Sequence, residues 1–182
     1  MSRLGQAIAE GDGISVLVEV ADSATAGAAE RQGADGLVVL GAAPDLRGAT
    51  QLPLLYAGDS AVAAGAEVDA LVVPADATAW AEAERLGLER VVRVADTDDL
   101  ERAFEEIDPE IVLLSPDPEG EEDPLELLLA LLHDVPAGKL AIAELRDATT
   151  HDVEELERAG VDAVLVTSGN IAALVPVQPP EV

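Results

Sequence analysis

The chain has 182 residues, 49% of them hydrophobic, and carries 37 acidic against 10 basic side chains, a formal charge of −27. That length and apolar content predict one folded domain with a buried core, and the charge excludes nucleic acid as a partner because phosphate backbones are repelled. The absence of cysteine excludes disulfides and thiolate sites, and two histidines far apart leave no His-based metal cluster. No metal or other cofactor is expected. The start of the chain lacks a signal-peptide pattern, and no apolar run approaches the ~18 residues of a membrane span, so a cytoplasmic protein without membrane contact is expected.

Residues 2–11 have helical spacing, with Leu4 and Ile8 on one face, and Gly11 and Gly13 break it before a strand at 14–20. A helix over 23–32 ends at Gly33, and a strand follows at 36–40. The next crossover, 41–52, holds Pro44 and Gly48 and is too broken for a full helix. Strands at 52–56, 70–73 and 90–94 alternate with helices at 60–66, 77–86 and 100–107, the last capped by Asp96 or Thr97. A strand at 110–114 leads through the acidic loop SPDPEGEEDP into a helix at 125–133. Strands at 140–144 and 163–166 flank a helix at 150–159, and a short helix is predicted over 168–174. Residues 1–175 form the domain, and PVQPPEV, 176–182, is an extended tail.

Three segments repeat one phrase: RQGADGLVVLG at 31–41, AGAEVDALVVPA at 64–75 and ERAGVDAVLVTSGN at 157–170. Their aspartates, Asp35, Asp69 and Asp162, lie 34 and 93 residues apart, near one and three multiples of about 31, the size of a helix-plus-strand unit. Continuous aliphatic strands separated by helices require a parallel sheet covered on both faces. Eight of them predict a compact (β/α)8 TIM barrel with shortened helices. The cut second crossover explains a length below the usual ~200 residues, and an open doubly wound parallel sheet is the alternative.

Taken in order, VLVEVAD around Glu19, LPLLYAGD before Ser60, GLERVVRVADTDDLERAF from Gly87, VLLSPDP around Ser115, AELRD around Glu144 and LVTSGN from Leu165 form a series. The series resembles the indole-3-glycerol-phosphate synthase family of tryptophan biosynthesis over about residues 4–174. The resemblance implies a phosphate-binding barrel with its site at the C-terminal mouth. In the family pattern, Ala21 and Ala57 stand where lysines are expected, Arg93 replaces a strand glutamate, and Ser115 and Pro116 replace asparagines. Glu144 is kept, and Arg146 takes the place of a phosphate-binding glycine.

Ring closure needs a positioned acid and a cation, and loss of a positioned acid costs ~10²- to 10⁴-fold in rate. With both lysines absent, the resemblance implies a catalytically silent or strongly diverged barrel with a binding or regulatory role. The sole lysine, Lys139, falls at the start of a strand, the end of a barrel that serves stability. The alternative is an active phosphosugar lyase or isomerase with a rearranged site. Glu19, Arg93 and Glu144 are the candidate catalytic residues, either as an acid–base pair with its cation or as a buried network left after loss of activity. Thr167, Ser168, Gly169 and Asn170, with Arg146, are the candidate phosphate-binding residues, on hydroxyls and backbone N–H groups that also suit a plain helix cap. The expected partner is a phosphorylated small molecule, with a protein partner or a second copy also compatible. Trp80, Tyr56 and Phe104 are read as packing residues.

The acidic balance is read as an adaptation for solubility or high salt. The melting temperature should then rise alike with any monovalent or divalent salt at matched ionic strength; a rise specific to one cation would show a dedicated site instead.

Overall fold

Runs such as Val16, Leu17 and Val18, apolar on consecutive residues, need cover on both faces of their strand. A computed structural model, which describes residues 3–10, 13–41, 46–117, 120, 122–167, 169 and 171–175, shows how that cover is built. The strands are β1 (Ser15–Glu19), β2 (Gly36–Leu40), β3 (Leu54–Ala57), β4 (Ala70–Pro74), β5 (Glu89–Val94), β6 (Ile111–Leu114), β7 (Leu140–Glu144) and β8 (Ala163–Val166). They run parallel in sequence order, and β8 pairs with β1 to close the ring, Ser15 to Val18 opposite Ala163 to Val166. The fold is a (β/α)8 barrel. The open sheet is ruled out, since it would leave β1 and β8 as unpaired edges.

Successive strand residues point to opposite faces, and the two faces form two cores. Leu17, Val38, Leu55, Val91, Leu113, Ile142 and Leu165 fill the barrel interior, while Val16, Val18, Val39, Val92, Leu114 and Val164 pack outward under the helices. Gly36 faces the interior opposite Leu17. A Cβ there would come within 2.7 Å of the Leu17 side chain, so the glycine makes room for the leucine. Helix α1 (Arg3–Ala9) plugs the N-terminal end with Leu4 and Ile8, and its Gly5 N–H donates to Glu89 at 3.2 Å.

The outer ring holds α2 (Ser23–Arg31), α3 (Ser60–Ala63), α4 (Ala77–Glu84), α5 (Thr97–Arg102), α6 (Pro124–His133) and α7 (Thr150–Ala159). Asp22, Asp59, Asp76, Asp96, Asp123 and Thr149 each cap a helix by accepting a first-turn N–H. Asp96, not Thr97, caps α5, which begins three residues earlier than the sequence reading and continues as a π-helical turn, Ala103–Ile107. That turn ends at Asp108 with φ of 54°, a left-handed conformation that Asp tolerates better than most residues. The helix expected over 168–174 is reduced, among the described residues, to one 3₁₀ turn, Ile171–Ala173. The tail 176–182 lies outside the described residues.

Among the described residues no helix joins β2 to β3. Arg47 fastens this crossover instead: it donates to the Leu52 carbonyl at 3.1 Å and the Glu67 carbonyl at 3.0 Å, and pairs with Asp69 at 2.6 Å. Leu46 beside it is buried. Tyr56 is buried outward and its hydroxyl donates to the Gly41 carbonyl, and Arg90 stacks 3.8 Å over the Trp80 ring. Both aromatics serve packing.

The repeated aspartates have one shared task. Asp35 sits just before β2; its N–H donates to the Val16 carbonyl at 2.9 Å and its carboxylate accepts the Val16 N–H at 2.8 Å. Asp69 does the same to Leu54, and Asp162 to Ala141, each carboxylate again 2.8 Å from the N–H. Each aspartate therefore continues the hydrogen-bond ladder to the start of the preceding neighbour strand, where a carbonyl is lacking. Burial pushes the Asp35 and Asp162 carboxyls up from the ordinary range, against the lowering effect of the Val16 and Ala141 N–H groups.

Asp35→Asn keeps an acceptor for Val16 and removes the penalised charge, so at pH 7 it should be as stable as the parent or up to about 1 kcal/mol more so. The stability that a raised folded pKa confers is present below the ordinary value of about 3.9 and lost as pH rises through the folded value. The advantage of the Asn variant in urea unfolding should therefore grow over that rise and then level off. Asp35→Ala, which strands the Val16 N–H, should cost about 1–3 kcal/mol.

Candidate functional site

Barrel closure and two-residue alternation decide which side chains reach the C-terminal mouth. Two residues beyond the interior Leu17, Val91, Leu113, Ile142 and Leu165 come Glu19, Arg93, Ser115, Glu144 and Thr167. By the same step β2, β3 and β4 present Leu40, Ala57 and Pro74. One side of the mouth is thus apolar, and the arc from β5 through β8 to β1 is polar.

Glu144 is the centre of the polar arc. Its side chain is only 9% exposed, and both oxygens are occupied: Oε2 accepts from Arg93 Nη2 at 3.0 Å and Ser115 Oγ at 2.6 Å, and Oε1 accepts from Arg146 Nε at 3.1 Å. Arg146 then reaches across to Glu19, its Nη1 lying 3.5 Å from Oε2. The result is a chain of alternating charge, Arg93, Glu144, Arg146, Glu19, running from β5 to β1. Its two carboxylates balance its two guanidinium groups, on a protein whose total charge is −27. Two buried atoms in it have no hydrogen bond, Arg93 Nε and Glu19 Oε2.

Beside this chain lies a cavity of about 430 Å³ lined by Arg93, Ser115, Pro116, Pro124, Glu144, Leu145, Arg146 and Asp147. A larger one, about 570 Å³, lies on the outer face between β2, β3 and α3, where Val39, Leu46, Leu54 and Val62 line it. Size and chemistry do not coincide here. The outer cavity lies beside the β2–β3 crossover, and its Arg47 is already committed to backbone carbonyls and Asp69, so the mouth is the candidate site.

The structure brings Glu19, Arg93, Glu144 and Arg146 together, with Thr167 beside Arg146. Thr167 donates both its N–H, at 3.1 Å, and its hydroxyl, at 2.8 Å, to the Arg146 carbonyl, and so fixes the backbone that carries Arg146. Gly169 is exposed and lines a separate small cavity against α2, while Ser168 and Asn170 lie outside the described residues. After β8 the described residues include one 3₁₀ turn, Ile171–Ala173, and the cradle expected at 167–170 falls partly outside the described residues. Ser115 was not among the expected site residues, although its place directly after β6, in step with Leu113, is a signal the sequence carries. Ala57 stands at the mouth where a lysine was expected, and Lys139 lies at the opposite end, 2.9 Å from Asp108 and 3.6 Å from Glu110. The Asp108 hydrogen bond raises its pKa.

Among the described residues no group of three or more His, Asp or Glu side chains is placed to hold a metal ion, and no helix is long and apolar enough to cross a membrane.

No family model matches the chain. An indole-3-glycerol phosphate synthase from Geobacillus sp. (strain WCH70) is 30% identical over 167 aligned positions, which cover 79% of this chain; the chain spans 65% of that relative's length. Among solved structures, the N-acetylmannosamine-6-phosphate 2-epimerase from Clostridium perfringens superposes with a TM-score of 0.71 at 14% identity, covering 87% of each chain. A thiamine phosphate pyrophosphorylase from Pyrococcus furiosus gives 0.68 at 15% identity, covering 88% of this chain and 90% of its own.

Truncating Glu144 leaves two guanidinium groups facing each other without their shared acceptor, so Glu144→Ala should lower stability by about 1–3 kcal/mol in urea unfolding. Arg146 is 44% exposed, and Arg146→Ala should change it by no more than about 1 kcal/mol. Equal losses in the two variants would contradict the central place given to Glu144.

Proposed function

We propose that this barrel binds a small phosphorylated molecule at its C-terminal mouth, in a binding or regulatory role, and does not close an indole ring. The observation that carries this reading is the state of the mouth: Glu144 has both oxygens engaged by Arg93, Ser115 and Arg146, and the chain's only lysine is at the far end. A general acid or base must be free to exchange a proton with the substrate, and an ammonium must be near the developing charge. Two arginines, by contrast, suit recognition of a phosphate, since the guanidinium offers forked donors and keeps its proton.

Several lines support an anionic ligand. Arg93 lines the cavity of about 430 Å³, and its Nε is buried without a hydrogen-bond partner. The names of the similar proteins all contain a phosphorylated small molecule. The anion is assigned to the cavity bordered by Arg93 and Arg146, between the loops after β6 and β7, rather than to residues 167–170. A second reading, an active phosphosugar lyase or isomerase built on Glu19, Arg93, Glu144 and Ser168, is favoured by one feature: Glu19 Oε2 is buried without a hydrogen bond, as a waiting base would be.

Ribose 5-phosphate at millimolar concentration should raise the melting temperature of the wild type and leave that of Arg146→Ala unmoved. Turnover of indole-3-glycerol-phosphate precursor, followed by indole fluorescence, should stay at background. A rate above background that falls in Glu144→Gln would establish the second reading.

A further inference from the structure

Arg146 is held by two carboxylates, and they are not equivalent. Its Nε makes a 3.1 Å hydrogen bond to Glu144, which is nearly buried and anchored by Arg93 and Ser115 as well. Its Nη1 lies 3.5 Å from Glu19, whose side chain is 26% exposed and whose Oε2 makes no hydrogen bond. A contact of that length without a hydrogen bond is the weaker of the two that hold Arg146. Opening the Glu144 contacts would break three hydrogen bonds to a nearly buried carboxylate; opening the Glu19 contact breaks none.

We propose that Glu19 is a built-in competitor for Arg146: an anionic group entering the mouth displaces Glu19, and not Glu144, from the guanidinium, so Glu19 sets how tightly and how selectively anions bind. This rests on the reading of the mouth as an anion site and adds the residue that tunes it. A phosphate offers several oxygens to the forked donors of one guanidinium, which a single carboxylate oxygen at 3.5 Å does not match. A weaker anion, with fewer oxygens to offer, does not win the exchange. Arg146 stays in register throughout, because Thr167 holds its carbonyl with two hydrogen bonds.

The test is calorimetric titration of inorganic phosphate, ribose 5-phosphate and neutral ribose into the wild type, Glu19→Gln, Arg146→Ala and the double variant. Glu19→Gln keeps the size of the side chain and removes its charge. It should tighten phosphate and ribose 5-phosphate by about two- to fivefold and leave ribose unchanged. The gain should vanish when Arg146 is also replaced. Binding by the wild type that Glu19→Gln weakens or leaves unaltered, or a gain that survives in the double variant, would overturn the competitor role while keeping the anion site. No binding of either phosphate by any of the four proteins would overturn both.

Discussion

The pairing of β8 with β1 is the constraint from which the rest of this structure follows. In a closed ring no strand has a free edge, so each side chain is either inside the barrel or outside it, and the two-residue alternation holds around the whole circumference. The interior is sealed at one end by Leu4 and Ile8 and filled by one aliphatic layer after another. The next inward position along each strand has nowhere to go but the mouth. Glu19, Arg93, Ser115 and Glu144 meet there because Leu17, Val91, Leu113 and Ile142 lie beneath them.

Within the mouth, burial sorts the charges. Glu144, the most enclosed, gathers three donors, and the more exposed Arg146 and Glu19 are joined by the longest contact of the chain. Charge balance in the mouth contrasts with the acidic surface, so the site is electrostatically a separate compartment of the molecule. Ala57 adds to the apolar side of the mouth, and the guanidinium groups of Arg93 and Arg146 lie on its polar side.

Much of the fold was legible because strand starts carry the same phrase. Asp35, Asp69 and Asp162 recur for a reason the sequence alone does not state: each carboxylate completes a ladder that lacks a carbonyl. The strands 36–40, 140–144 and 163–166 and the helix 150–159 were bounded correctly from Gly, Pro and cap residues. Of the last helix, expected over 168–174, the described residues form a 3₁₀ turn at Ile171–Ala173, before Val175 packs near Gly33. The convergence of Glu19, Arg93 and Glu144 could be read from strand order. The reach of Arg146 to both carboxylates, and the bond from Ser115, depend on side-chain directions in three dimensions that linear spacing does not encode.

The crossover from β2 to β3 has a different consequence. The crossovers from β1 to β2 and from β3 through to β8 each carry a helix, whereas this one, among the described residues, has none and is fastened by the guanidinium of Arg47 gripping two carbonyls and Asp69. The closure entropy of such a connection rises by only about 0.6 kcal/mol for each doubling of its length. A barrel of this kind can therefore gain or lose chain at that corner with little effect on its ring, which makes the corner the natural place for descendants of this sequence to grow a new element.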